Sequence, residues 1–369
     1  MKERLKPFSY PMFLIICVLL CFGLITLASA SSYSALDDYS DSLYYLKRQL
    51  IFAALGIVVM IVVSRIDYNI YKKFAYLGYA IAIGLMAAVF IPGIGVDVNG
   101  ARRWINLGFT TMQPSEIMKI MLVIASSTCI ANNYKKNKGN FIRMYGPVAL
   151  MLVLVIGIMY FQNHLSGTLV MIVGTVAVIW SGGIKITPKL VAIVLIAILA
   201  LGIWIFSSEF RRERVMSFFN SDEDIQGSNW QATQSKYAIG TGGVFGLGLG
   251  QSRQKYLWLP EAQNDFVFSV YAEEFGFVGA VFVVVLFAIL IYRGVAIALK
   301  SKDMYGLLVT LGIIGMFAFQ IIVNIAVVTK SCPTTGMPLP FFSSGGTSLL
   351  INMVAMGMVL GVSKDDQKG

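Results

Sequence analysis

The chain has 369 residues, of which 57% are hydrophobic and only 13% charged, and its mean hydropathy is +0.74. Soluble domains carry about 25% charged residues, so a water-soluble enzyme is excluded and an all-α polytopic membrane protein is expected. The net charge of +10 would suggest nucleic acid in a soluble protein, but in a membrane protein it marks cytoplasmic loops, and no nucleic-acid partner is expected.

A helix crossing the bilayer takes about 20 residues. Apolar runs predict ten transmembrane helices, near residues 12–30, 49–63, 74–91, 117–134, 145–161, 168–180, 190–206, 266–291, 305–328 and 347–362. Basic residues gather at the even-numbered exits and the two ends. Lys2, Arg4 and Lys6 precede the first span, Arg65, Lys72 and Lys73 follow the second, and Lys135, Lys136, Lys138 and Arg143 follow the fourth. Lys185, Lys189, Arg293, Lys300, Lys302, Lys364 and Lys368 continue the pattern, to 17 of the 29 Lys and Arg. The first opposite loop carries Asp37, Asp38 and Asp41, so both termini are expected in the cytoplasm. The basic start, apolar run and Ala28-Ser29-Ala30 resemble a secretory signal, but the run exceeds the usual h-region of about 7–15 residues, and an uncleaved first span is expected. Cys17, Cys21, Cys129 and Cys332 give neither a disulfide framework nor metal-ligand spacing.

One transmembrane domain is expected over residues 1–369, its outer segments 92–116, 207–265 and 329–346 forming the site. The middle segment is a long extracellular loop between helices 7 and 8, too long for a mere connector. Its glycines, from Gly240 to Gly250, predict tight turns and close backbone approach rather than a separate domain.

Three constellations carry candidate chemistry. Gly100-Ala-Arg-Arg-Trp104 leads to Gln113-Pro-Ser-Glu116 and Lys119. Pro114 and Glu116 suit a helix start, and Glu116 and Lys119 share one helix face. A lysine in the apolar slab costs about 2.5–3.5 kcal/mol, so Lys119 needs a partner or a task. Arg102 and Arg103 fit either an interfacial anchor or a bidentate phosphate contact. The second constellation runs from Lys255 through Glu261 and Asp265 to Glu273 and Glu274. If Asp265 opens the helix, Glu273 lies about 12 Å deeper, so the two cannot flank one bond as a glycosidase pair does; a lone surface carboxylate can still act as a general base. Glu261 and Asp265 are expected near the Arg- and Lys-bearing loop. Glu273 and Glu274 should point about 100° apart, so that at most one faces a given groove. The third, Pro333 to Ser348 with Pro340 inside it, is too rich in Pro and Gly for a helix. Its end, including Ser343 and Ser344, offers donors for an anion, although a re-entrant packing loop fits equally. His164 is the only histidine and reads as a loop hydrogen-bonder.

These segments, in this order over most of the chain, resemble the SEDS family (shape, elongation, division and sporulation) of FtsW, RodA and SpoVE. The resemblance implies ten helices in the bacterial cytoplasmic membrane and a glycosyltransferase that polymerises lipid II into β-1,4-linked peptidoglycan strands. It implies a class B penicillin-binding protein as transpeptidase partner, alongside other division or elongation proteins. The family's outer-loop aspartate maps onto Asp265, its loop arginine onto Arg102 or Arg103, its helix lysine onto Lys119 and its acidic pair onto Glu273 and Glu274. Asn163 and His164 depart from the family pattern, which expects Pro and often Asp there. On this reading Asp265 deprotonates the acceptor 4-hydroxyl. Arg102, Arg103, Lys119, Glu116, Ser343 and Ser344, or a divalent cation (Mg or Mn), serve the lipid diphosphate. Glu261, Glu273, Glu274 and Pro340 support the site. The alternative is a flippase for lipid-linked sugars; polar groups at the outer edge and the lack of an internal repeat disfavour it.

Overall fold

The computed structural model describes residues 8–98, 101–106, 108, 111–134, 140–184, 209–219, 230–256 and 259–364, with residues 191, 195, 199, 202–204, 206 and 207 described singly. Four helices come first: α1 (Tyr10–Ala30), α2 (Ser32–Tyr39), α3 (Tyr44–Arg65) and α4 (Tyr68–Ala88). Strands β1 (Gly95–Val98), β2 (Ala101–Asn106) and β3 (Thr111–Met112) form an antiparallel sheet in chain order. Then come α5 (Pro114–Asn133), α6 (Phe141–Phe161), α7 (Leu165–Ser181), α8 (Glu209–Phe219), α9 (Trp230–Thr241), α10 (Val267–Leu299), α11 (Met304–Val328) and α12 (Gly346–Val362).

Six described helices (α1, α3, α5, α6, α10 and α11) are long and apolar enough to cross a membrane, as a polytopic helical membrane protein requires. Nine of the expected spans fall on helices, and most of the seventh, 190–206, lies outside the described residues. The sheet replaces what reads as a polar connector at 92–116. A bulge between Val96 and Asp97 interrupts its alternation, which removes the period-2 signal that announces a strand.

Local chemistry sets the helix starts. Asp67, Asn140 and Asp303 cap α4, α6 and α11 by accepting the N–H groups of Asn69, Arg143 and Gly306. Small residues let the bundle close: a Cβ on Gly357 of α12 would sit 2.7 Å from the Met60 carbonyl oxygen of α3. At the end away from the sheet, Ser9 N–H donates to Ser363 Oγ at 2.9 Å, Arg65 lies over Phe8 and Lys72 over Tyr305. The first and last described segments thus share the basic end.

Helix α10 is interrupted at Gly276, whose φ of 69° and ψ of −170° are non-helical. In an unbroken helix the N–H groups of Phe277 and Val278 would bond to the carbonyls of Glu273 and Glu274. Instead those carbonyls accept the N–H groups of Leu247 and Gly248, at 3.0 Å each. Phe277 and Val278 in turn donate to Gly243 and Val244 at 2.9 and 3.1 Å. The long loop is threaded across the break and takes over both bonds from both sides. Side chains would forbid this: a Cβ on Gly276 would overlap the Gly246 nitrogen, and one on Gly246 the Glu274 carbonyl. The expected close backbone approach is here.

Gly276→Ala is expected to lose at least about 2 kcal/mol of stability, because that conformation is accessible essentially to glycine alone. Gly157→Ala, in α6 where a Cβ meets nothing within 4 Å, should gain about 0.4–1 kcal/mol. Unfolding of the two purified variants in detergent checks both signs.

Candidate active site

The buried ion pair of α5 is the first anchor. Lys119 Nζ lies 2.8 Å from Glu116 Oε1, and both side chains are nearly buried. Ser348 Oγ, in the first turn of α12, donates to Glu116 Oε2 at 2.9 Å, so Lys119 has its expected partner and α12 is tied to it. The two hairpin arginines diverge, as neighbours on a strand must. Arg102 is exposed, its Nε 3.8 Å from Asp97. Arg103 turns inward: its Nε donates to the Gln162 carbonyl at 3.1 Å and its Nη2 to the Asn163 carbonyl at 2.6 Å. Arg103 thus closes the C-terminal end of α6, where exposed carbonyls favour a cation.

His164 is the N-cap residue of α7, buried, with Nε2 3.5 Å from Gln113 Nε2. Burial, then the charges of Arg103 and Lys119, push its pKa down to about 3. It is a neutral imidazole between two cations. Its Nδ1 has no hydrogen-bond partner among the described residues.

Asp265 forms the second anchor. The helix opens one residue later than an N-cap at Asp265 would give: Phe266 is the N-cap and Asp265 lies in the turn before it, half-buried. Its carbonyl accepts from Asn324 Nδ2 at 2.8 Å, and the same amide donates to the Met337 carbonyl at 2.7 Å. One side chain of α11 therefore pins the Asp265 turn to the 333–345 segment. Gly336 faces the carboxylate, and a Cβ there would lie 3.4 Å from Asp265 Oδ2. Next to it, the Thr335 carbonyl accepts from Ser166 Oγ, in the first turn of α7 and two residues past His164. The 333–345 segment thus bridges Asp265 to the Lys119–His164–Arg103 cluster.

The remaining expected residues hold the frame. Ser343 Oγ accepts the Leu339 N–H at 2.7 Å, Ser343 N–H donates to the Leu339 carbonyl, and Ser344 N–H donates to the Gln263 carbonyl at 2.9 Å. Those N–H donors are already used, because buried backbone groups must be paired. Gln49 of α3 fastens the same turn, donating to the Ser343 carbonyl and accepting the Gly345 N–H, each at 3.3 Å. Pro340 is buried, and the Phe341 carbonyl after it packs where Gly23 of α1 lacks a side chain. Glu261 has φ 56°, is exposed and accepts from Asn264 Nδ2, a local bond rather than one to the Arg- and Lys-bearing loop. Glu273 and Glu274 depart from the one-per-groove expectation. Both are fully buried, and both accept bonds from the Ser252–Gln254 turn. The turn wraps the end of the first half of α10, so it meets two adjacent faces at once. Asn324, Gln49 and Ser166 were not singled out from the sequence, whereas Ser348 stood at the end of the third constellation. Asn324 had a signal, being with Gln320 one of two carboxamides a turn apart inside an apolar run.

A family model for cell cycle proteins of the FtsW, RodA and SpoVE type matches residues 10–368. The chain belongs to the FtsW/RodA/SpoVE family. It is 39% identical over 351 residues to stage V sporulation protein E of Bacillus subtilis, covering 95% of each chain. It is 37% identical over 368 residues to the probable peptidoglycan glycosyltransferase FtsW of Trichlorobacter lovleyi, covering 98% of this chain and 94% of that one. Among solved structures, a chain from a peptidoglycan synthase complex that coordinates polymerization and crosslinking matches with TM-score 0.80 and 28% identity, covering 98% of this chain and 99% of that one. The rod shape determining protein RodA of Thermus thermophilus matches with TM-score 0.72 and 27% identity, covering 98% of each. The FtsW/RodA/SpoVE fold thus spans nearly the whole chain.

Lys119→Met leaves Glu116 buried without its cation and is expected to cost about 3–5 kcal/mol. Adding Glu116→Gln should restore most of that stability, which a thermal unfolding comparison of the single and double variants reads. His164 gives a pH signature. Its folded pKa lies below its ordinary 6.5, so the unfolded chain binds the extra proton and stability falls as pH drops from about 6.5 toward 3, by up to about 1.4 kcal/mol per unit. His164→Gln should flatten that slope in melts recorded between pH 7 and 5.

Proposed function

We propose that this chain is an inverting peptidoglycan glycosyltransferase that polymerises lipid II at the outer face of the bacterial cytoplasmic membrane. The observation that carries the reading is the Asp265 carboxylate, half-buried against Gly336 and joined through the 333–345 segment to the cationic end of α5. Relatives covered almost end to end are named probable peptidoglycan glycosyltransferases, which supports it. The topology proposed has ten transmembrane helices, both termini in the cytoplasm and residues 207–265 outside, in one domain. Its support is the shared basic end at Ser9, Arg65, Lys72 and Ser363.

The chemistry follows from the charges. Asp265 takes the proton of the acceptor sugar's 4-hydroxyl as that oxygen attacks C1 of the donor from the face opposite its leaving group, giving a β-1,4 bond. The departing lipid diphosphate carries negative charge, which Lys119 and Arg103 meet, with Arg102 at the exposed rim. Glu116 and Ser348 hold the Lys119 ammonium in place, and neutral His164 adds no third charge between the cations. Among the described residues no three His, Cys, Asp or Glu converge. A divalent cation would therefore take its ligands from the diphosphate, water and one carboxylate such as Asp265, the donor set magnesium favours. A class B penicillin-binding protein is the proposed crosslinking partner, supported by the match to a synthase complex.

Asp265→Asn removes the base and keeps the shape. With purified protein, its partner and labelled lipid II, polymer formation should fall by about 10²–10⁴-fold. Normal polymer from Asp265→Asn overturns the assignment, and leaflet transfer without polymer from the unmodified protein overturns the enzyme reading.

A further inference from the structure

Two buried carboxylates and one buried lysine lie outside the groups that would meet substrate. Glu274 Oε1 accepts from Ser29 Oγ of α1, from Ser252 N–H at 3.2 Å and from Lys255 Nζ at 3.4 Å. Lys255 Nζ also donates to Ser29 Oγ at 2.9 Å and to the Gly250 carbonyl at 2.7 Å. Glu273 accepts from Ser252 Oγ, from Arg253 N–H at 3.1 Å and from Thr241 Oγ1 at 3.3 Å. The Lys255 and Glu274 side chains are 4% and 0% exposed, and Glu274 Oε2 is buried with no partner among the described residues. The Lys255 ammonium pairs with Glu274, while Glu273 is held by hydroxyl and backbone N–H donors of the same turn, all in a low-dielectric interior. Apolar packing of similar volume would often be as stable, so stability does not account for the cluster.

Its place in the chain does. Ser252–Lys255 lies upstream of Asp265, and Glu273–Glu274 lies downstream on the unbroken first half of α10. The cluster closes the segment 252–274 into a loop with Asp265 inside it, and Ser29 fastens that closure to α1. We propose that Lys255, Glu273 and Glu274 are positioning residues: they clamp both ends of the 252–274 segment and so fix where the Asp265 carboxylate sits, a role that rests on the functional reading above. The loop threaded across the Gly276 break makes this a rigid unit rather than a swinging one.

The test uses the full-length protein with its transpeptidase partner and two readouts. The first is the rate of tryptic cleavage after Arg253, which is exposed in the clamped turn; the second is lipid II polymerisation. Glu274→Gln and Lys255→Met should each speed cleavage at least ten-fold and lower kcat at least ten-fold, with KM within two-fold. Lys255→Arg should restore both. Ser29→Ala, which removes only the α1 anchor, should shift both readouts in the same direction and serves where a core variant fails to accumulate. Faster cleavage with unchanged kcat overturns the positioning role, and unchanged cleavage overturns the clamp. Absence of polymer from the unmodified protein overturns the functional reading and the positioning role with it, while the cleavage comparison still decides the clamp.

Discussion

Inside a bilayer no water is present to satisfy an amide, so every backbone group must be paired by the protein itself. Helix α10 violates the usual solution at Gly276, and the organisation of the outer end follows from how that violation is repaired. Four backbone bonds pass to residues 243–248, and the repair draws the glycine-rich loop down onto the helix. That segment then brings Ser252 and Lys255 to Glu273 and Glu274 and delivers Asp265 to the mouth of the bundle. Serine contacts secure the neighbouring helix: Ser235 of α9 meets Ser269 Oγ at 2.7 Å and donates to the Val328 carbonyl at 2.6 Å.

The same economy governs the charges. Both buried ion pairs are surrounded by hydrogen-bond donors that tie separate elements together. Ser348 joins α12 to the Glu116–Lys119 pair, and Ser29 joins α1 to the Glu274–Lys255 pair. A single desolvated charge in this interior would be costly, whereas a paired and bonded one fixes geometry. The two pairs also differ in setting. Glu116–Lys119 lies beside His164 and Arg103 at the junction with the hairpin, where an anionic leaving group would be met. Glu274–Lys255 lies beneath the loop that carries Asp265. On the proposed reading the first would supply charge and the second placement.

The hairpin and the 333–345 segment complete this division. Arg103 is spent on the end of α6 and Ser343 on its own turn, so part of what looks like ligand chemistry is held within the frame. On the proposed function the cationic character of this end rests on Lys119, Arg103 and exposed Arg102. A neutral His164 among them keeps the cluster from repelling itself.

How much of this was legible in the sequence follows from which forces are local. Hydropathy and charge bias are sums over neighbouring residues, so the polytopic helical class and the positions of α1, α3 to α7 and α10 to α12 could be read directly. So could the Glu116–Lys119 pair, because i and i+3 meet on any helix. The three-stranded sheet could not, since its alternation is short and bulged. The shared partner of Glu273 and Glu274 could not either, because helical geometry alone separates the two side chains and only a loop folded over the helix end reunites them. Nor could the sequence say that Asn324, Ser166 and Gly336 lie around Asp265, each arriving from a different element. The residue types and the class of chemistry were determined by the sequence alone. The tertiary structure decided which of them meet, because those contacts depend on the break at Gly276 and on how distant segments satisfy the backbone groups it exposes.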